Sequence, residues 1–339
     1  MMQIEHGGAL DRAMSRFGGR RDDWIDLSTG INPEVFPLPS IGSDVWNRLP
    51  DENLLASALG AARKYYGASA DAGIAAAPGT QALIQIMPDL TDHGEVAIIG
   101  PTYQEHQSSF GRAGWKVTLC DAISGIPQSA KVVVIVNPNN PDGRIVAKDT
   151  LLELAGTLHA RGGFLIVDEA FADPHPETSI AAQCGRDGLI VLKSFGKYFG
   201  LAGLRLGFAL TNPALAGKLT ERMGPWAVSG PALAIAKHAF SDTATLAAFR
   251  DRLTHRRRLL SDVFSRTGLK ESAGTDLFAL VGHEHAHALF DALCTQHVLV
   301  RKFAYAPNWL RFGLPLDEND AETFRQRAII AIDAIKLIL

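Results

Sequence analysis

Short, fully apolar runs alternating with stretches of helical periodicity constrain this chain more than any other feature. Ile74–Ala77, Glu95–Ile99, Trp115–Leu119, Lys131–Val136, Phe164–Val167 and Leu189–Leu192 are too short for helices. Most of them also lack the in–out alternation of a strand with one wet face. Between them, Thr80–Leu90, Gln104–Ala113 and Lys148–Arg161 read as helices, as does the stretch from Glu52 that Gly67 ends. Strands buried on both faces and separated by helices predict the α/β class, a largely parallel sheet with helices on either side. In such sheets ligands bind beyond the carboxyl ends of the strands, so the polar residues that follow each run are the ones to read for chemistry.

A length of 339 residues accommodates a large domain and a smaller one. Residues 1–45 are loop-rich and read as an arm that joins the small domain and the ligand site. The large domain is expected at 46–225 and the small α+β domain at 226–339. In the latter, helices at 231–241, 245–267, 285–296 and 317–338 accompany the runs Asp276–Val281, Val298–Lys302 and Trp309–Phe312. A net charge of −3 provides no field for nucleic acid, and His255-Arg256-Arg257-Arg258 reads as the solvated face of a helix. No apolar stretch approaches the ~20 residues of a membrane span, and the start of the chain lacks a basic and apolar leader. Three scattered cysteines without a Cys-x-x-Cys pair read as reduced thiols, so a cytoplasmic protein that meets neither membrane nor nucleic acid is expected.

The chemistry lies at the ends of the runs. Lys197 occupies a polar, Gly-rich turn within Leu192–Gly207, with Ser194 three residues before it and Arg205 eight after. An amine, a hydroxyl and a guanidinium so placed suit a phosphate-bearing aldehyde cofactor: the amine forms a Schiff base and the other two hold the phosphate. Gly79-Thr80-Gln81 opens a helix, whose N-terminus favours an anion. Tyr103, in Pro101-Thr102-Tyr103, offers an aromatic face to a flat ring. Asn137-Pro138-Asn139-Asn140-Pro141-Asp142-Gly143 forces turns that hold amides at a strand end, with Asn140 a donor to the ring. Asp168, in Asp168-Glu169-Ala170-Phe171, is a carboxylate at the end of a buried strand, where a pyridinium nitrogen would be its partner. Alternate histidines in His283-Glu284-His285-Ala286-His287 diverge around a helix axis, and no metal site is expected.

Together these motifs resemble the fold-type I pyridoxal-phosphate enzymes of the aspartate aminotransferase superfamily, over nearly the whole chain. Asn137–Gly143, Asp168–Phe171 and Gly203-Leu204-Arg205-Leu206-Gly207 look like the histidinol-phosphate aminotransferase branch. His6-Gly7-Gly8, Ile31-Asn32-Pro33, Pro225-Trp226, and Phe171 where aminotransferases of the branch usually carry tyrosine, are more similar to the L-threonine O-3-phosphate decarboxylases of cobalamin biosynthesis. The resemblance implies a seven-stranded sheet, a homodimer, and pyridoxal 5′-phosphate held by Gly79, Thr80, Gln81, Tyr103, Asn140, Asp168, Ser194, Lys197 and Arg205, with Lys197 and Asp168 catalytic. It also implies that a small phosphorylated amino acid is bound by its α-carboxylate at Arg311 and its phosphate at Arg301, with His6, Gly7, Gly30 and Asn140 beside it. Two well-separated arginines suit a substrate with an acid at each end.

The implied reaction is decarboxylation of threonine phosphate to (R)-1-amino-2-propanol O-2-phosphate. An aminotransferase for histidinol phosphate or an aromatic amino acid is the alternative among enzymes of the fold, and a non-catalytic scaffold that keeps the fold but not the cofactor is the alternative of another class. Two positions depart from the pattern. Leu49 stands where the branch usually has a tyrosine that reaches the neighbouring subunit's cofactor phosphate, and Gly30 where some decarboxylases have a substrate-contacting asparagine.

Overall fold

The computed structural model describes residues 7–337, and the chain forms two compact units. The larger comprises Phe36–Asn140 and Arg144–Ala247. The smaller comprises the described residues up to Val35, Pro141–Gly143 and those from Ala248 onward.

The larger unit is built on a seven-stranded sheet in the order Gly73–Ala77, Gly207–Thr211, Leu189–Ser194, Phe164–Asp168, Ala130–Val136, Glu95–Ile99, Lys116–Cys120. The last five of these pair in parallel, whereas Gly207–Thr211 is antiparallel to both of its neighbours. Val132–Val136, Leu165–Val167 and Leu189–Leu192 are buried throughout, which is why they read as unbroken apolar runs. Gly73–Ala77 is antiparallel to the reversed strand, so its carboxyl end shares an edge of the sheet with the ends of the parallel five. Register aligns Ala77, Gly207 and Ser194 across three strands, and Leu192, on the third of these, with Asp168 and Val136 on the following two.

At the opposite edge, the Glu95 carboxylate is 6% exposed. It accepts hydrogen bonds from Ser129 Oγ (2.5 Å), Thr118 Oγ1 (2.6 Å) and Lys116 Nζ (3.2 Å). These donors hold it down at about 2. A carboxylate lowered in this way stabilises the fold above its ordinary value, and the benefit disappears as pH falls toward 2. Glu95→Gln is therefore expected to lower stability at pH 7 by about 1–3 kcal/mol. Denaturant titrations should show the gap from the parent closing between about pH 5 and pH 2.

The larger unit continues past Pro225-Trp226, where the sequence pattern changes. Helix Gly230–Ser241 buries Leu233, Ile235, Ala236 and Phe240, and the Phe240 ring stacks on Tyr65 of helix Glu52–Tyr66 with centroids 4.7 Å apart. An apolar helix belongs with the core it covers, so the boundary lies at 247/248 rather than 225/226, and the arm's boundary at 35/36 rather than 45/46.

The smaller unit has a four-stranded antiparallel sheet, ordered Arg301–Phe303, Ala306–Phe312, Phe278–Gly282, Glu271–Thr275. The arm joins it through Ile25–Asp26, which pairs in parallel with Val298–Leu299. The arm also contains the helix Leu10–Phe17. The basic run is a solvated face only in part: His255 and Arg258 are exposed, whereas Arg256 and Arg257 are engaged. Arg256 meets Glu34 of the arm at 2.6 Å and donates to Leu316 O, while Arg257 pairs with Glu271 and donates to Thr275 O. Helix Thr243–Thr267 thus uses these arginines to fasten arm and sheet. Among the described residues no helix is long and apolar enough to cross a membrane.

Candidate active site

Strand Leu189–Ser194 ends in the one-turn helix Phe195–Tyr198. Phe195 and Phe199 are fully buried and stack at 4.4 Å, Phe195 meets Phe240 edge-on at 5.3 Å, and the Phe36 N–H donates to Phe199 O at 2.9 Å. Buried aromatic pairs of this kind fix a backbone firmly. The turn is thereby anchored on both sides of Lys197, whose side chain is left half-buried with Nζ 5.7 Å from the Phe171 ring centroid.

Lys197 lines a cavity together with Gly79, Thr80, Gln81, Tyr103, Asn140, Asp168, Ser194 and Arg205. These nine are the cofactor-binding residues expected from the sequence, and the aligned strand ends bring them together. One wall is shaped for an anion. Arg205 adopts left-handed backbone, φ 53°, a conformation that costs a non-glycine residue about 1–3 kcal/mol. Its guanidinium occupies the space left by Gly79, where a Cβ would lie 2.7 Å from Nη2. A Cβ on Gly207 would lie 2.5 Å from Thr80 N, at the start of helix Thr80–Ile86. Ser194 Oγ makes no capping hydrogen bond to the helix that follows it.

Asp168 is 3% exposed. Its Oδ2 accepts from His106 Nε2 at 2.9 Å and its Oδ1 from the Ala170 N–H at 3.1 Å. His106 is fully buried on helix Gln104–Arg112, and its Nδ1 has no hydrogen-bond partner among the described residues, so the ring's one polar contact there is to this carboxylate. No motif pointed to His106; the signal was its place three residues after Tyr103, on a helix packed beneath the strand ends. His106→Leu is expected to lower cofactor affinity and kcat by about tenfold to a hundredfold, the range for residues that orient a ligand. Titration of pyridoxal 5′-phosphate followed by absorbance checks it.

Tyr103 donates its hydroxyl to Gln81 Oε1 (3.1 Å), and Gln81 Nε2 donates to Glu105 Oε2 (2.8 Å). Burial, with Glu105 and Asp168 nearby, pushes the phenol up to about 12, so it stays protonated at neutral pH. The donor set fits a phosphate-bearing pyridine aldehyde: guanidinium and hydroxyls for the phosphate, a carboxylate for the ring N–H, an amide and an aromatic face for the ring, and an amine for the aldehyde. The close approach of the Arg205 guanidinium to Gly79, and of Thr80 N to Gly207, which draws these donors together at one wall, is the direct structural sign of that fit.

Of the expected substrate residues, Asn140 belongs to the larger unit, and Gly7, Gly30, Arg301 and Arg311 to the smaller. Arg301 and Arg311 are separated in sequence but face one another as cross-strand partners, with side chains on the same face of the sheet. Like charges directly opposite are unfavourable unless an anion joins them. Arg311 is 6% exposed and donates Nη2–H to Ser28 O at 3.0 Å. Burial and the neighbouring Arg301 pull it down to about 10. Tyr305, in the hairpin between their strands, is pushed up to about 12 by burial, against the pull of both arginines. Gly7, Ser28 and Arg301 line a second cavity with Arg12, Arg16 and Lys302. Gly30 is buried nearby in the arm sequence, and His6 lies outside the described residues.

Ser28 was not singled out from the sequence, yet its carbonyl meets Arg311 and its hydroxyl accepts from the Gly8 N–H at 2.7 Å. The histidine triplet is spent on local contacts: His283 Nδ1 accepts from the His285 N–H, and His287 contacts Phe303 O.

Known proteins resemble the chain over most of its length. The family described as aminotransferase class I and II matches residues 42–327. The chain is 44% identical to a threonine-phosphate decarboxylase from Sinorhizobium sp., over 93% of this chain and 94% of that protein. It is 42% identical to one from Pseudomonas aeruginosa, over 93% and 94%. A crystal structure of histidinol-phosphate aminotransferase from Sinorhizobium meliloti, in complex with pyridoxal 5′-phosphate, shares the fold with a TM-score of 0.81 at 19% identity, covering 98% of this chain and 96% of that one. With both its sequence and its strand-end cavity in agreement, this chain belongs to the class I and II aminotransferase family.

Proposed function

We propose that this chain catalyses the pyridoxal 5′-phosphate-dependent decarboxylation of L-threonine O-3-phosphate. The products are carbon dioxide and (R)-1-amino-2-propanol O-2-phosphate, a corrin side-chain precursor in cobalamin biosynthesis. The observation that carries this reading is the cross-strand pair Arg301 and Arg311, in a chain with two threonine-phosphate decarboxylases among its relatives. Two adjacent guanidiniums match a small molecule that bears both a carboxylate and a phosphate, whereas an aromatic amino acid leaves one of them without an anion.

When bound, the cofactor supplies an aldehyde that condenses with amines and a ring that accepts the electron pair freed when a bond to Cα breaks. The chain's own residues determine the rest. Thr80, Ser194 and Arg205 anchor the cofactor's phosphate. Asp168, oriented by His106, keeps a proton on the ring nitrogen, while Tyr103 and Asn140 fix the ring plane. Arg311 grips the α-carboxylate and so selects which bond to Cα is aligned for cleavage. Arg301 takes the phosphate, with Gly7 and Gly30 beside it. Lys197 Nζ holds the proton that replaces the carboxylate on Cα. Phe171 presents hydrocarbon to that amine, where a tyrosine would bring a second titrating group.

The same reading gives a cytoplasmic homodimer. Cys120, Cys184 and Cys294 are buried free thiols, as in a reducing compartment. Leu38, Trp46 and Leu49 are 56%, 66% and 64% exposed within one short stretch, and a second copy would cover them. Leu49 offers no hydroxyl, so its contact with that copy would be apolar.

Comparing L-threonine O-3-phosphate with L-threonine tests the substrate assignment. A preference of about a thousandfold in kcat/KM is expected, about 4 kcal/mol of transition-state binding from the phosphate. Equal turnover of the two amino acids contradicts it.

A further inference from the structure

Glu169 and Lys193 are charged residues buried on the large sheet, 0% and 2% exposed. They form an ion pair of 2.5 Å. The pair is fully satisfied: Glu169 Oε1 accepts from the Ile180 N–H at 2.8 Å, and Glu169 Oε2 accepts from the Ser179 hydroxyl. Lys193 Nζ donates to Ser179 Oγ at 3.0 Å and lies 5.0 Å from the Tyr66 ring centroid. Neither charged side chain lines the cofactor cavity, and successive residues of a strand point to opposite faces. Lys193 therefore leaves the sheet on the side away from Ser194.

A buried ion pair generally contributes no more stability than apolar side chains of similar volume, so its presence calls for another role. Its place in the chain supplies one. Glu169 directly follows Asp168, and Lys193 directly precedes Ser194, four residues before Lys197. The backbones are already adjacent, with the Glu169 N–H donating to Leu192 O at 2.9 Å and Thr80 Oγ1 lying 3.4 Å from Lys193 O. The ion pair thus joins the strand end that carries the ring-nitrogen carboxylate to the strand end that carries the phosphate hydroxyl and the amine.

We propose that Glu169 and Lys193 are positioning residues whose ion pair sets the spacing between Asp168 and the Ser194–Lys197 turn, and so the orientation of the bound cofactor ring. The inference rests on the cofactor reading above. Its test is the holoprotein carrying Glu169→Leu together with Lys193→Met, compared with the parent and with Lys193→Arg. Three quantities are read: the melting temperature of the apoprotein, the Kd for pyridoxal 5′-phosphate, and the circular dichroism induced in the cofactor's near-visible band.

The double variant is expected to melt within several degrees of the parent, because the ion pair itself adds little stability while the Ile180 N–H and the Ser179 hydroxyl lose an acceptor. Its Kd should rise by about tenfold or more and its induced signal should shrink, because the ring is held less firmly. Lys193→Arg, which keeps the charge, should return both values toward the parent. A double variant with Kd within about twofold of the parent and an unchanged induced signal overturns the proposal. One that melts far below the parent or fails to fold overturns it too, since the pair is then a stabilising element. A parent that stays colourless with added cofactor overturns the cofactor reading and this inference with it. A coloured parent beside an indifferent double variant overturns this inference alone.

Discussion

Lys197→Ala is expected to reduce turnover of threonine phosphate by about ten-thousandfold, about 5 kcal/mol in the barrier, the scale seen when a covalent catalyst is removed. It should also abolish the near-visible absorbance of the holoprotein. Both losses should occur in a folded protein. The turn is anchored by Phe195, Tyr198 and Phe199, each at most 1% exposed, while the lysine side chain faces the cavity rather than that cluster. The melting temperature of the apoprotein should therefore stay close to the parent's. Activity within tenfold of the parent would remove Lys197 from the chemistry.

The second large effect is expected at Arg311. Arg311→Lys keeps a cation but loses the planar fork, and kcat/KM should fall by about a hundredfold to a thousandfold, about 3–4 kcal/mol. The pH profile provides a second readout. Arg311 is already drawn down to about 10 by burial and by Arg301. A cation lowered in this way is charged below that value and neutral above it, so the parent's kcat/KM should decline as pH rises through about 10. A lysine at the same buried position, beside the same arginine, starts from an ordinary value near 10.4 and is lowered from there, so its alkaline limb should move toward neutral pH. An unchanged limb would mean that residue 311 does not carry the charge the substrate needs.

The sequence made the larger unit and its cavity legible because strand runs, turns and the residues that follow them are local. Asn140, Asp168 and Lys197 each sit within a few residues of the run that positions them, so spacing alone was informative. Contacts between distant segments were not legible. His106 reads as an ordinary helical residue until the fold places its Nε2 against Asp168. Glu169 lies just past one strand and Lys193 near the end of another, and they meet only when those strands pair.

The smaller unit was harder for the same reason. Strand Glu271–Thr275 has no apolar run, and Ile25–Asp26 is two residues long, so both are defined by their partners rather than by periodicity. Arg301 and Arg311 were visible as candidates, but their direct opposition depends on antiparallel register, which no local pattern encodes. The arginines of 256–257 follow the same rule: Glu34 lies far along the chain and Glu271 on the strand after the helix, so neither contact follows from helical spacing.

With cofactor bound, this chain is expected to break the bond between Cα and the carboxylate of its substrate. That cleavage is tested most directly by incubating the holoprotein with L-threonine O-3-phosphate and no 2-oxo acid, and measuring carbon dioxide. Stoichiometric release of carbon dioxide with formation of the amino alcohol phosphate is the predicted result. Turnover that depends strictly on added 2-oxoglutarate and releases no carbon dioxide would contradict the account and make the chain an aminotransferase.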